Sequence, residues 1–322
     1  MRIRGERRIR GERRFNGLLL MLAALLSCSA ASVLVDAAWA DGGSFTFSAA
    51  HSSDVDVNIP LGAKAGKYDV AVVIGNKNYT APNVPKVDFA DRDARSMKEY
   101  LIKSFGYDPE NVLYTEDATL AKFNEFFGGE NGITGSRLHN YVKRDVSRVF
   151  IYYVGHGAPD LTSHEAYFVP VDADPHYIAS NGYKLKTFYR NLASLPAKSI
   201  TVVLDSCFSG NSDRGLLFHN ISPGMLKVEK TEAPKNIVLM TSASMDQVST
   251  WHKKEQHSLF TYYFLKGIQG EADKDKDGRI TVGELKNYLK EEVPFWSKRI
   301  NAVEQNPVVE GADGDVLVTI GK

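Results

Sequence analysis

Val149-Phe-Ile-Tyr-Tyr-Val-Gly-His-Gly157 and Ile200-Thr-Val-Val-Leu-Asp-Ser-Cys-Phe-Ser-Gly210 are two apolar runs, each ending on a side chain able to do chemistry. Runs that stay apolar at every position and are rich in β-branched residues mark strands buried on both faces of a parallel sheet. Tyr68–Gly75 and Ile237–Thr241 read the same way, while Val112–Thr115 and Val316–Ile320 read as outer strands. Between the first strands Ala90, Ala94, Met97, Leu101 and Phe105 recur at spacings of three and four, one face of a helix that Asp88 is placed to cap. Arg137–Val146 and Leu185–Leu195 read as further crossover helices, and the alternating Glu165–Val171 as part of a small hairpin. The pattern predicts one α/β domain over 68–322, a mostly parallel, doubly wound sheet of about six strands with helices on both faces. Gly75-Asn-Lys-Asn-Tyr79 follows the first strand where a dinucleotide or nucleotide fold would carry a glycine-rich phosphate loop, so neither cofactor is expected.

The chain has 322 residues, 43% hydrophobic and 24% charged, the balance of an ordinary globular protein, with zero formal net charge. Nucleic-acid binding by broad phosphate neutralisation is therefore not expected. The charge is uneven. Residues 1–40 hold seven Arg, no Lys and three acids, leaving 32 bases against 36 acids in the remainder. That leader, the uncharged run Gly17–Val35 and Ala38-Trp-Ala40 form a signal peptide pattern, with cleavage after Ala40. Two alternatives use the same segment: a lipoprotein box at Leu25-Leu-Ser-Cys28, or an uncleaved anchor. All three export the rest to the periplasm or the extracellular space, and a membrane is met only through the N-terminus. Residues 41–67, rich in Gly, Ser, Asp and Ala, read as a linker or pro-segment. Cys28 and Cys207 are the only cysteines, so no disulfide framework holds the fold.

In such sheets chemistry collects at the carboxyl ends of the strands. If the two quoted strands are neighbours, His156 and Cys207 meet at one edge. A neutral imidazole beside a thiol is the base and proton carrier that thiolate chemistry needs. The N–H groups of Gly157 and Cys207 could hold the oxyanion of a tetrahedral intermediate. The seven other histidines (His51, His139, His164, His176, His219, His252 and His257) have no such context.

Tyr152-Tyr-Val-Gly-His-Gly157 and Asp205-Ser-Cys-Phe-Ser-Gly210 resemble the two active-site motifs of the caspase-like cysteine peptidases, family C14, in the bacterial caspase-homologue and metacaspase branch. The 51-residue interval from His156 to Cys207 matches the roughly 50 residues typical of caspases. The likeness runs from about Tyr68 to Ile320 and includes Ala90-Asp-Arg-Asp-Ala94, Phe168-Val-Pro-Val-Asp-Ala-Asp174 and Leu259-Phe-Thr-Tyr-Tyr263. It implies a caspase fold, protein or peptide substrates and no organic cofactor. It also implies a dyad of Cys207 as nucleophile and His156 as general base and acid, with Gly157 in the oxyanion hole. True caspases carry a Gln-Ala-Cys-Arg-Gly type sequence at the nucleophile and cut after Asp. Here an acid, Asp205, stands two residues before Cys207, and Asp93 matches the second metacaspase acid, which implies cleavage after Arg or Lys. Phe208 replaces the usual metacaspase His. The loop Phe208–Lys235 corresponds to one often cut in related enzymes, so self-processing is expected, first at Arg214 or Lys227, with Lys230 and Lys235 also in the segment.

Asp273-Lys-Asp-Lys-Asp-Gly-Arg-Ile-Thr-Val-Gly-Glu284 fits the EF-hand-like loop Asp-x-Asp-x-Asp-Gly-x₅-Glu. Asp273, Asp275 and Asp277 supply carboxylates, Arg279 a backbone carbonyl, Thr281 a direct or water-mediated ligand and Glu284 two oxygens. Calcium is the expected cofactor, with the roughly 10⁻⁴–10⁻³ M affinity of an extracellular module. The expected function is a secreted, calcium-stabilised cysteine endopeptidase. A non-catalytic, calcium-binding interaction module on the same fold is the alternative, and it predicts no turnover.

Overall fold

A computed structural model describes residues 52–321, apart from 83, 210, 213–214, 218–231, 233, 235 and 245–246. The signal segment, Cys28, the expected cleavage positions Arg214 and Lys227, and Lys230 and Lys235 lie outside the described residues. β1 (Val70–Gly75) leads to α1 (Ala90–Lys103) and β2 (Val112–Glu116). α2 (Leu120–Phe127) and α3 (Arg137–Tyr141) precede β3 (Arg148–Val154), which runs into β4 (Gly157–Pro159) and β5 (Ala166–Phe168). α4 (Ile178–Asn181), β6 (Tyr183–Lys184) and α5 (Leu185–Ala193) lead to β7 (Ser199–Asp205). The ribbon β8 (Asn211–Ser212) and β9 (Gly215–Leu216) comes next, then β10 (Ile237–Thr241). A hairpin of β11 (Trp251–His252) and β12 (His257–Ser258) enters α6 (Leu259–Lys266). β13 (Arg279–Thr281), α7 (Val282–Trp296), β14 (Val308–Glu310) and β15 (Val316–Thr319) follow.

The central sheet has the order β14-β10-β7-β3-β1-β2, all parallel except β14. Its central strands β1, β3 and β7 are buried on both faces, as their unbroken apolar character requires. Ala71, Val73, Tyr152, Val154 and Val203 face a core shared with α1, α6 and α7. Val70, Val72, Ile74, Ile151 and Val202 face the opposite core, with the Phe residues of α2 and Phe188 of α5. The doubly wound six-stranded α/β expectation holds.

Details differ. Val316–Ile320 was expected as an outer strand of the main sheet. It forms β15 instead, antiparallel to β13, and the edge position goes to β14, too short to carry a periodic signal. The helix expected over Arg137–Val146 stops at Tyr141, because Val142 turns extended and Ser147 Oγ takes the N–H of Lys143 at 2.8 Å. Asp88 does not cap α1: Phe89 occupies the N-terminal boundary at φ 71°, with no side-chain cap.

The described part of the 41–67 segment is no free linker. It forms a strap across α1 and α6, with Val55 fully buried and its carbonyl bonded by Tyr100 Oη at 2.8 Å. Asp54 pairs with Lys266 at 2.9 Å, and Gln269 Nε2 donates to the carbonyls of Asp54 and Val57. Further on, Gly62 bridges Ile320, Ala63 N–H donates to Thr319 O at 3.1 Å, and Gly321 N–H donates to Leu61 O at 2.6 Å. This seam needs glycine at 62, where a Cβ would sit 1.7 Å from the carbonyl oxygen of Ser104.

Candidate active site

β3 and β7 are parallel neighbours in a register that places Val154 opposite Asp205. Both chains therefore leave the sheet at the same edge. His156 and Cys207 line one narrow cleft with Val87, Ser206, Ser249 and Trp251, and its ~30 Å³ admits one or two waters. The turn after β1 shapes the wall beside His156. Asn76, fully buried, accepts from Ala118 N–H at 2.8 Å and donates to the carbonyls of Ala118 and Val169. Asp117 takes the N–H groups of Lys77 and Asn78. This turn carries Tyr79, whose hydroxyl accepts the His156 backbone N–H at 2.8 Å and whose ring lies 4.7 Å from the imidazole.

The His156 Nε2 atom lies 2.7 Å from the Pro85 carbonyl. A carbonyl only accepts, so Nε2 carries the proton and Nδ1 is the free acceptor. Burial pulls the imidazole down to about 4, despite the opposing bond to Pro85 O, so the ring is neutral at neutral pH. Cys207 is buried, and its Sγ accepts the backbone N–H of Ser249. Gly157 pairs with Phe168 while Val169 N–H donates to the His156 carbonyl at 3.0 Å. In an antiparallel ladder this places Gly157 in the non-hydrogen-bonded position, so its N–H points away from β5. Ser206 Oγ, buried in the same cleft, has no hydrogen-bond partner. A neutral base, a thiol and an N–H outside the ladder are the parts of acyl transfer through sulfur.

Asp205 also lines the cleft. Its Oδ1 accepts from Ser249 Oγ at 2.8 Å, and its Oδ2 from Thr261 Oγ1 at 2.6 Å. Burial, and next the charge of Asp93, push it up to about 6. Asp93 is fully buried and does not reach the cleft as a bare carboxylate. It accepts from His257 Nδ1 at 2.6 Å, Ser258 Oγ at 2.6 Å and Ser258 N–H at 3.1 Å. The structure thus brings the two acids together but gives one of them a resident partner. Reading the sequence alone did not find Ser249, Trp251, Thr261 or His257. These come from the β10–α6 region, where Leu259–Tyr263, which holds Thr261, belongs to the family likeness but no periodicity marks a residue as facing the cleft.

In the acidic loop, carboxylate oxygens of Asp273, Asp275 and Asp277 lie within 4.8 Å of one another. Backbone N–H groups of Asp277 and Gly278 hold Asp273 at 3.2 and 3.0 Å, and Gly278 makes the turn at φ 82°. Glu284 is absent from that cluster. Its oxygens accept from Thr281 Oγ1 at 2.8 Å and Lys274 N–H at 3.2 Å, and with Thr281 it closes a capping box on α7. β15 pairs with β13 directly behind the loop.

A buried imidazole and thiol at the carboxyl edge of a doubly wound sheet are an arrangement that suits a thiol hydrolase. Comparison makes it specific: the caspase domain family model, Peptidase_C14, matches residues 69–313, and the chain belongs to that family. It is therefore a caspase-like cysteine peptidase domain, acting on protein or peptide substrates. Among solved structures, caspase-1 from Spodoptera frugiperda shares the fold, with a TM-score of 0.52 at 11% identity over 83% of this chain and 96% of that one. Among curated proteins no match is found.

Proposed function

We propose that the protein is an exported cysteine endopeptidase that cleaves after Arg or Lys through a Cys207–His156 dyad. The observation that carries this reading is the β3–β7 register, which puts Gly-His-Gly and Asp-Ser-Cys on one edge of the sheet. In the reaction His156 Nδ1 accepts the Cys207 thiol proton as sulfur attacks the carbonyl carbon. The N–H groups of Gly157 and Cys207 hold the oxyanion. The imidazolium returns its proton to the leaving amine, and a water deprotonated by the same nitrogen hydrolyses the thioester. Asp205 meets the substrate cation at the cleft wall, with Asp93 behind it. Export rests on the basic leader and the apolar run of residues 1–40, which precede a domain whose sole cysteine is Cys207.

The loop fits calcium. Three carboxylates converge in it, and Glu284 and Thr281 close its far end. Asp273, Asp275, Asp277, Thr281, Glu284 and the Arg279 carbonyl would hold the ion, whose role is to stabilise the fold. The segment after Phe208 is the proposed site of slow self-cleavage, read as mass loss in the wild type and not in Cys207→Ala.

An acyl-Arg electrophile tests the central reading. It should label the full chain and not Cys207→Ala, and Arg peptides should turn over faster than Asp peptides. Faster turnover of Asp peptides would overturn the specificity. No turnover and no labelling would leave the interaction-module reading.

A further inference from the structure

His257 has no solvent exposure, yet both of its ring nitrogens face carboxylates. Nδ1 lies 2.6 Å from Asp93 Oδ1, and Nε2 lies 3.3 Å from Asp56 Oδ2. A neutral imidazole offers one donor and one acceptor, so two carboxylate contacts call for the doubly protonated ring. Asp56 comes from the strap and is itself held by Arg92 Nε at 2.9 Å and Ser96 Oγ at 2.5 Å. The charged and titratable groups around His257 are Asp93 and Arg92 on α1, Asp56 on the strap and Asp205 beyond Asp93. His252 lies opposite it on β11, and Glu255 sits in the connecting turn. Burial holds His252 below its ordinary value, and Glu255 is turned towards Ser53 Oγ at 3.1 Å. In this cluster, among the described residues, three carboxylates, Asp56, Asp93 and Asp205, face two cations, His257 and Arg92. One negative charge is left over, and Asp205 is the member that lines the cleft.

We infer that His257 is a specificity-determining positioning residue: by holding Asp93 in an ion pair it leaves Asp205 as the single carboxylate that meets the substrate cation. The inference rests on the Arg/Lys reading above. It also makes the strap part of the back wall of the pocket, since Asp56 holds the second ring nitrogen. Without the imidazolium, the charge of Asp93 acts unopposed on Asp205 and keeps it protonated to higher pH. A protonated Asp205 offers nothing to a guanidinium.

The test is kcat/KM against pH for an acyl-Arg peptide, with the full chain. His257→Gln should move the acidic limb up by about one pH unit, with activity recovered at higher pH, a shift that a purely structural role would not produce. Asp205→Asn should erase both the limb and the preference for Arg. If Asp205→Asn leaves that preference intact, the specificity reading falls and takes this inference with it. If Asp205→Asn removes the preference but His257→Gln leaves the limb in place, the inference about His257 falls alone. A second measurement does not depend on how His257→Gln folds. Nitrogen NMR of ¹⁵N-histidine in full-length Cys207→Ala should show His257 doubly protonated at pH 7, with a lower midpoint when Asp56→Asn is added. A neutral ring at pH 7 overturns the inference.

Discussion

Burial moves His156 and Asp205 in opposite directions, and both shifts favour the uncharged form. His156 is pulled down to about 4, and Asp205 is pushed up to about 6 with help from Asp93. Between these values the base stays neutral while the pocket loses its charge as pH falls. Turnover of an Arg peptide should therefore drop as pH passes down through about 6. A citrulline peptide of the same length, which needs no carboxylate, should hold its rate to lower pH. Paired pH–rate profiles check this, and parallel profiles would count against Asp205 as the specificity group. The placing of His156, Gly157 and Cys207 at one sheet edge was legible in the sequence because the strands before them are unbroken apolar runs, whereas Asp205 was singled out by the family resemblance. The partnership of Asp93 with His257 was not legible. It joins residues 164 apart, and His257 sits in a two-residue strand that no periodicity announces.

Short elements set the site more than long ones do. β4 is three residues long, and a Cβ on Gly157 would lie 2.7 Å from Phe208 Cδ1 and 2.9 Å from the Cys207 carbonyl. Gly157→Ala should leave the far-ultraviolet circular dichroism unchanged and lower kcat on the order of 10²-fold, the cost of a misplaced reacting group. In the acidic loop Glu284 has two tasks, which separates its variant from the others. Asp273→Asn should abolish the rise in melting temperature at millimolar calcium and change little in chelator. Glu284→Ala should also cost about 1 kcal/mol in chelator, through loss of the capping box. Scanning calorimetry with and without calcium distinguishes the two, and no calcium effect in the wild type would reduce the loop to a turn. The loop motif was plain in the sequence because five of its positions are fixed by residue type. Its partner β15 was misplaced because an apolar run does not say which edge it joins.

At the scale of the molecule, the strap and the catalytic core are tied by buried charge. Burial alone would lower His257, but hydrogen bonds to Asp56 and Asp93 lift it to about 9. A group raised in the folded state stabilises fully below its unfolded value, near 6.5, and the contribution is lost as pH rises through about 9. The melting temperature should therefore fall between pH 6.5 and 9, and Asp56→Asn should flatten that decline. A slope that Asp56→Asn leaves unchanged would mean the strap does not share this charge. Composition gave no hint of the strap, because its residues look like linker and their partners in the rest of the domain lie some 36 to 260 positions away. The seam of Leu61–Ala63 with Thr319–Gly321 carries a consequence for biogenesis. Leu61–Ala63 cannot be pinned until β15 has been synthesised, and a contact that closes so long a loop forms late. A nascent chain that has not yet reached β15 therefore cannot close this seam, and the domain is completed only once that strand has left the ribosome.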